Sequence, residues 1–278
     1  MTTTLTHFAG RAGDHNDRAM AASPVLAAVL GERLGLQPIV IGEPSPSSPM
    51  DWVAELAEAG PALQSMALHY DAQLGNRVTP VAAISRCAVA LATLPVVARH
   101  RPDAVVVWLD AHADLNTPDS TETGYLGGLA LSGPLGLWAS GLGEGLSDNN
   151  TILVGVRDID PFELQLLEEG RVELVRVGPG MAEELRRAVA GRPVYVHIDC
   201  DVLDPGIVPT DYSIANGMTL AQLQACAQVL AQSEVVGLEI GELESSVLNQ
   251  SSSRQDAQLI TGALEALIQS IEHKDPRT

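Results

Sequence analysis

Val105-Val106-Val107-Trp108-Leu109 runs without a polar residue straight into Asp110-Ala111-His112-Ala113-Asp114-Leu115-Asn116. An apolar, β-branched run of this length reads as a strand buried on both faces, the mark of a parallel sheet covered by helices on either side. Three metal-competent side chains follow at once, at i, i+2 and i+4, in the place beyond a strand's carboxyl end where such sheets bind ligands. The arrangement recurs at His197-Ile198-Asp199-Cys200-Asp201, again after a hydrophobic segment. Residues two apart on a strand share a face, so the spacing predicts that Asp110, His112, Asp114, Asp199 and Asp201 converge. A set so rich in carboxylates suits two hard or borderline divalent ions, Mn²⁺ before Zn²⁺, and no organic cofactor.

Flanking segments support the sheet. Residues 80–84, 151–156, 172–177, 193–198 and 235–240 are strand-like, and 87–100, 161–169, 181–190, 219–231 and 257–271 carry helical patterns. Short apolar strands alternating with helices predict an α/β fold with a mainly parallel sheet, and the lack of a linker or repeat predicts one domain over 1–278. Arg157 and Glu242, like Asp110 and Asp199, follow strands. Nearer the N-terminus, 22–36 reads as a helix starting at Ser23-Pro24 and ending near Gly35, and 37–42 as a short buried strand. Residues 43–50 form a Ser/Pro-rich loop, and 51–70 a helix interrupted at Gly60-Pro61. Within the Gly- and Ser-rich segment 116–148, residues 126–137 are expected to supply a short helix.

The composition narrows the partners. With 35 acidic against 16 basic residues the net charge is -19, which disfavours nucleic acid and anionic membranes and suits a cationic ligand. The 46% hydrophobic content is ample for a large core. Cys87, Cys200 and Cys226 are odd in number and widely spaced, so they imply no disulfide framework and point to a reducing cytoplasm. Residues 1–16 carry no secretory signal, and no window approaches the roughly 18 apolar residues of a spanning helix. Cys200 and Cys226 read as core residues.

Asp110-Ala111-His112-Ala113-Asp114 with Leu115-Asn116-Thr117-Pro118, followed by Asp199-Cys200-Asp201-Val202-Leu203-Asp204-Pro205, resembles the arginase branch of the ureohydrolase (arginase/agmatinase) family. The resemblance covers roughly 80 to the C-terminus. It implies a three-layer α/β/α fold and two Mn²⁺ ions whose bridging hydroxide attacks a guanidinium carbon. On this resemblance Asp110 and Asp199 bridge the metals. Asp114 completes one shell and accepts a hydrogen bond from the hydroxide, while His112 and Asp201 bind the other ion. Val156-Arg157-Asp158-Ile159-Asp160-Pro161 is similar to the segment whose second aspartate holds the substrate's α-ammonium group, although Asp160 with Glu163 also makes a good helix cap. Asn116 and Thr123 match the contacts to the α-carboxylate, and Glu242 matches the partner of the guanidinium. The implied partner is a guanidino L-amino acid rather than a simple amine. The short stretch after Ile271, which omits the long tail of some trimeric relatives, implies a monomer.

Two positions depart from the family pattern. The remaining ligand of the first metal, a histidine in most arginases, falls on Cys87, where a helix N-terminus and a metal would both favour the thiolate. A thiolate in place of imidazole adds one negative charge and should weaken the site as a Lewis acid. Gly127 stands where arginases place a histidine for proton transfer, and glycine transfers none. Together the changes resemble those of the branch that hydrolyses Nω-hydroxy-L-arginine to hydroxyurea and L-ornithine in antibiotic biosynthesis. An arginase or other guanidino-acid hydrolase, or a silent family member, are the alternatives.

Overall fold

The structure is a computed structural model that describes residues 2–245 and 250–272. Eight parallel strands form one sheet in the order β2-β1-β3-β8-β7-β4-β5-β6. In chain order the elements are β1 (Thr3–Phe8), α1 (Arg18–Leu34), β2 (Ile39–Ile41), α2 (Trp52–Gly75), β3 (Thr79–Ala83), α3 (Ala90–His100), β4 (Val105–Leu109) and β5 (Thr151–Val154). There follow α4 (Pro161–Glu168), β6 (Glu173–Val175), α5 (Met181–Val189), β7 (Val194–Asp199), α6 (Leu220–Leu230), β8 (Val235–Gly241), α7 (Gln250–Ala263) and α8 (Glu265–Glu272).

Strand alternation divides the interior into two cores, one on each face of the sheet. Val105, Val107 and Leu109 join Leu26, Leu30, Leu185, Leu223, Ile260 and Ile268 from α1, α5, α6, α7 and α8. Val106 and Trp108 point the other way, into a core with Leu63, Met66 and Tyr70 of α2 and Leu91 and Leu94 of α3. The expected three-layer α/β/α architecture is therefore present. Cys200 and Cys226 both lie in the first core, as expected.

Several local expectations need correction. Helix α1 begins at Arg18, so Ser23-Pro24 lies inside it rather than at its start. The missing N–H of Pro24 would orphan the Met20 carbonyl, and the Ser23 hydroxyl donates to that carbonyl at 3.3 Å instead. Gly35 does end the helix, with φ 63°. Strand β2 is an edge strand, not a buried one, and Ile39 and Val40 are 45% and 58% exposed. Helix α2 runs unbroken through Gly60-Pro61, because Ala59, Leu63, Met66 and Tyr70 keep one buried stripe while Pro61 faces solvent. Residues 126–137 form turns and one 3-10 turn (Gly127–Leu129) rather than a helix, folded back so that Leu131 and Ser132 donate to the Asp114 carbonyl. The last predicted helix is two, α7 and α8, parted at Leu264. Strand β1 carries no clear hydrophobic pattern in sequence, yet it pairs with both β2 and β3. The tail after residue 272 lies outside the described residues. Among the described residues no helix is long and apolar enough to cross a membrane.

Candidate active site

Four adjacent central strands, β3, β8, β7 and β4, end at one place. Cys87 opens a 3-10 turn just after β3, Asp110 follows β4, Asp199 is the last residue of β7, and Glu242 follows β8. The two sequence signatures reach the site through loops rather than along strands, since β4 stops at Leu109 and β7 at Asp199. Both fold in the same way: the His112 N–H donates to Asp110 Oδ1 and the Asp201 N–H to Asp199 Oδ1, each at 2.7 Å. The Ala111 N–H donates to Asp201 Oδ1 at 3.1 Å and ties the loops together. Asp114 (φ 52°) and Glu242 (φ 59°) adopt left-handed backbone, a strain that non-glycine residues carry mainly where function or packing holds them.

Cys87, His112, Asp114, Asn116, Thr123, Asp160, Asp199 and Glu242 line one cleft, while Asp110 and Asp201 are buried behind it. His112 Nδ1 lies 3.1 Å from Asp201 Oδ2 and 3.3 Å from Asp110 Oδ1. Asn116 Nδ2 donates to Asp160 Oδ2 at 2.7 Å, joining two of the residues matched to the amino-acid end of a substrate. Glu163 accepts from the N–H groups of Asp160 and Leu115, so the capping of α4 also anchors the loop that carries Asp110, His112 and Asp114. Arg157 has turned away and donates to the carbonyls of Asp201, Leu203 and Ile214.

Burial and the nearby Asp201 push the Asp110 carboxyl up to about 6. Burial and neighbouring carboxylates hold Asp114 and Asp199 well above the usual carboxylate range. Burial opposes protonation of His112, yet Asp110 and Asp201 outweigh it and raise its pKa. Without a cation, burial and then the charges of Asp199, Glu242 and Asp110 push the Cys87 thiol up. The helix terminus is too weak to offset this, so ionising Cys87 calls for a cation. The donor set fits such ions. Cys87, Asp110 and His197 form one group with ligand atoms within 4.8 Å of one another, Cys87, Asp199 and Glu242 a second, and Asp110, His112 and Asp201 a third.

Sequence reasoning missed three parts of the site. Arg86, fully buried, donates from Nη1 to Glu242 Oε2 at 2.6 Å and from Nε to Asp14 Oδ1 at 3.2 Å. The Cys87 N–H takes the other oxygen, Oε1, at 3.0 Å. Glu242 is thus held in place before any substrate arrives. Tyr125 covers Gly127: a Cβ added there would lie 2.3 Å from the Tyr125 ring and 2.9 Å from its hydroxyl. Tyr212 packs edge-on to His112 at 5.2 Å and stands 5.9 Å from Tyr125, completing an aromatic mouth. A buried arginine beside a cysteine, and tyrosines in loops, carry no sequence periodicity that would mark them.

Residues 87–265 match the model of the arginase family. The Nω-hydroxy-L-arginine amidinohydrolase of Streptomyces lavendulae is 40% identical over 236 residues, covering 85% of this chain and 86% of the relative. Among solved structures, the arginase of Bacillus caldovelox superposes with a TM-score of 0.80 at 20% identity, covering 99% of each chain. Proclavaminate amidino hydrolase from Streptomyces clavuligerus gives 0.73 at 18% identity, over 98% of this chain and 93% of its own. With the carboxylate cluster at the sheet's carboxyl edge, these matches establish that the chain belongs to the arginase family, a family of metal-dependent amidinohydrolases.

Proposed function

We propose that the chain, as one catalytic domain, hydrolyses Nω-hydroxy-L-arginine to hydroxyurea and L-ornithine with two Mn²⁺ ions. Cys87, Asp110, Asp114 and Asp199 would hold one ion, and Asp110, His112, Asp199 and Asp201 the other. When bound, such a pair lowers the pKa of water enough to supply a nucleophile near neutral pH and polarises the atom under attack.

The protein's own residues do the rest. Glu242, pinned by Arg86 and the Cys87 N–H, presents a fixed carboxylate to the N–H groups of the guanidino end. Asp160 receives the α-ammonium group, and Asn116 and Thr123 the α-carboxylate. Asp114, which lines the cleft, accepts the hydrogen bond of the attacking water.

The observation that carries the choice of substrate is the Tyr125 ring seated over Gly127. No side chain at 127 can deliver a proton to the departing amine, a loss worth about 10²–10⁴-fold for a substrate that needs it. An N-hydroxyguanidine is less basic than a guanidine and carries a hydroxyl that can relay the proton itself. The 40% identity to an enzyme named for this substrate supports the same choice.

Steady-state kinetics of the Mn²⁺-loaded protein test the reading. Hydroxyurea release from Nω-hydroxy-L-arginine should exceed urea release from L-arginine by at least about tenfold in kcat/KM. Faster turnover of arginine would reject it.

A further inference from the structure

We infer that His197 is a ligand of the same ion as Cys87, an imidazole supplied from within the sheet; the inference rests on the metal-dependent reading above.

His197 precedes Asp199 by two residues on β7 and is fully buried. Its ring stacks on Trp108 with centroids 3.5 Å apart and planes 2° from parallel, which fixes its orientation. Nδ1 lies 2.8 Å from Glu239 Oε1, on the neighbouring strand β8 at the paired register position. The other oxygen of Glu239 accepts from the Tyr195 hydroxyl at 2.7 Å and the Thr93 hydroxyl at 3.0 Å. Glu239 is therefore an acceptor throughout, Nδ1 is the donor, and the network assigns the lone pair to Nε2.

Nε2 points at Cys87 Sγ from 3.1 Å. The same sulfur is 3.2 Å from Asp199 Oδ2 and 4.0 Å from Asp110 Oδ2. A single thiol proton cannot serve these three acceptors, and a cation can face them all. His197, Cys87 and Asp110 bring their ligand atoms within 4.8 Å of one another, close enough to surround one ion. Metal-bound histidines almost always donate their second ring N–H to a carboxylate or carbonyl, which is the role Glu239 fills. The thiolate of Cys87 is then an addition to an imidazole site rather than a substitute for it, because the nitrogen donor absent at position 87 returns at position 197.

X-ray absorption spectroscopy of the Mn²⁺- or Co²⁺-loaded protein counts the imidazoles, with chelator competition for affinity. In the wild type the inference expects one imidazole from His112, a second from His197, and one sulfur. His197→Gln should remove one imidazole and weaken one of the two ions by at least about tenfold. A wild-type spectrum with both ions bound and a single imidazole, unchanged in His197→Gln, would overturn the inference and leave the hydrolase reading standing. Failure of the wild type to bind a pair of ions would overturn both. The wild-type count decides the matter even if the variant does not fold.

Discussion

A side chain at position 127 has nowhere to go while Tyr125 is present, since its Cβ would sit 2.3 Å from Tyr125 Cε1 and 2.7 Å from Cζ. The two residues behave as a coupled pair, and their substitutions should not add. Gly127→His alone is expected to lower turnover of both substrates, because the new ring or the tyrosine must be pushed into the cleft. Adding Tyr125→Ala should recover arginine hydrolysis above the single variant by about 10²-fold, the usual scale of general acid–base help. Parallel urea and hydroxyurea assays of the three proteins check this, and a Gly127→His protein with raised arginine activity would contradict it. Gly127 was legible in sequence as a missing proton donor. That Tyr125 fills its space was not, because a loop tyrosine reveals its direction only when the loop is folded.

At the scale of elements, proline and hydroxyl residues misled the reading in both long N-terminal helices. Ser23-Pro24 has the chemistry of a helix start, and Pro61 that of a break, yet α1 and α2 run through them. Buried stripes on each helix outweigh a local cost of about 3 kcal/mol per interior proline. Pro24 is exposed, so Pro24→Ala would restore an N–H donor to Met20 without disturbing the core. We expect it to stabilise the fold by about 1 kcal/mol, the gain in helix propensity being offset in part by a freer unfolded chain. Thermal or urea unfolding measures the shift, and a destabilised variant would show that the Ser23 bond to Met20 is fully compensating. The central strands were read correctly because burial on both faces leaves an unbroken apolar run, whereas β1 and the edge strand β2 are only half sheltered and lack one.

Across the whole molecule, an acidic chain buries a group of carboxylates, Asp110, Asp114, Asp199, Asp201 and Glu242, beyond the carboxyl ends of its central strands. In the metal-free protein, burial pushes Asp14 and Asp110 up from 3.8 to about 6 and Glu163 from 4.5 to about 7. A carboxyl with a raised folded pKa binds its proton more tightly in the folded state than in the unfolded chain. Its contribution to stability is therefore present below the unfolded pKa, declines as pH rises through the folded pKa, and is flat above. Calorimetry of the metal-free protein should accordingly show a melting temperature that falls from about pH 5 to about pH 8. Mn²⁺ should raise the melting temperature more at the upper end, because the bound cations favour ionised carboxylates and compete with protons. A metal effect larger at low pH would count against this.

The sequence by itself determined the central strands of the sheet, their two buried faces and the five Asp and His residues of the two signatures, because apolar runs are local properties written along the chain. It also located Cys87, Gly127 and Glu242 through their places in a known pattern. Only the tertiary structure decided that Arg86 secures Glu242 across 156 residues, that His197 reaches Cys87 across 110, and that Tyr125 occupies the space beside Gly127. Such contacts depend on strand order and register, which bring distant segments to one edge of the sheet, and no periodicity within a segment encodes which others will meet it there.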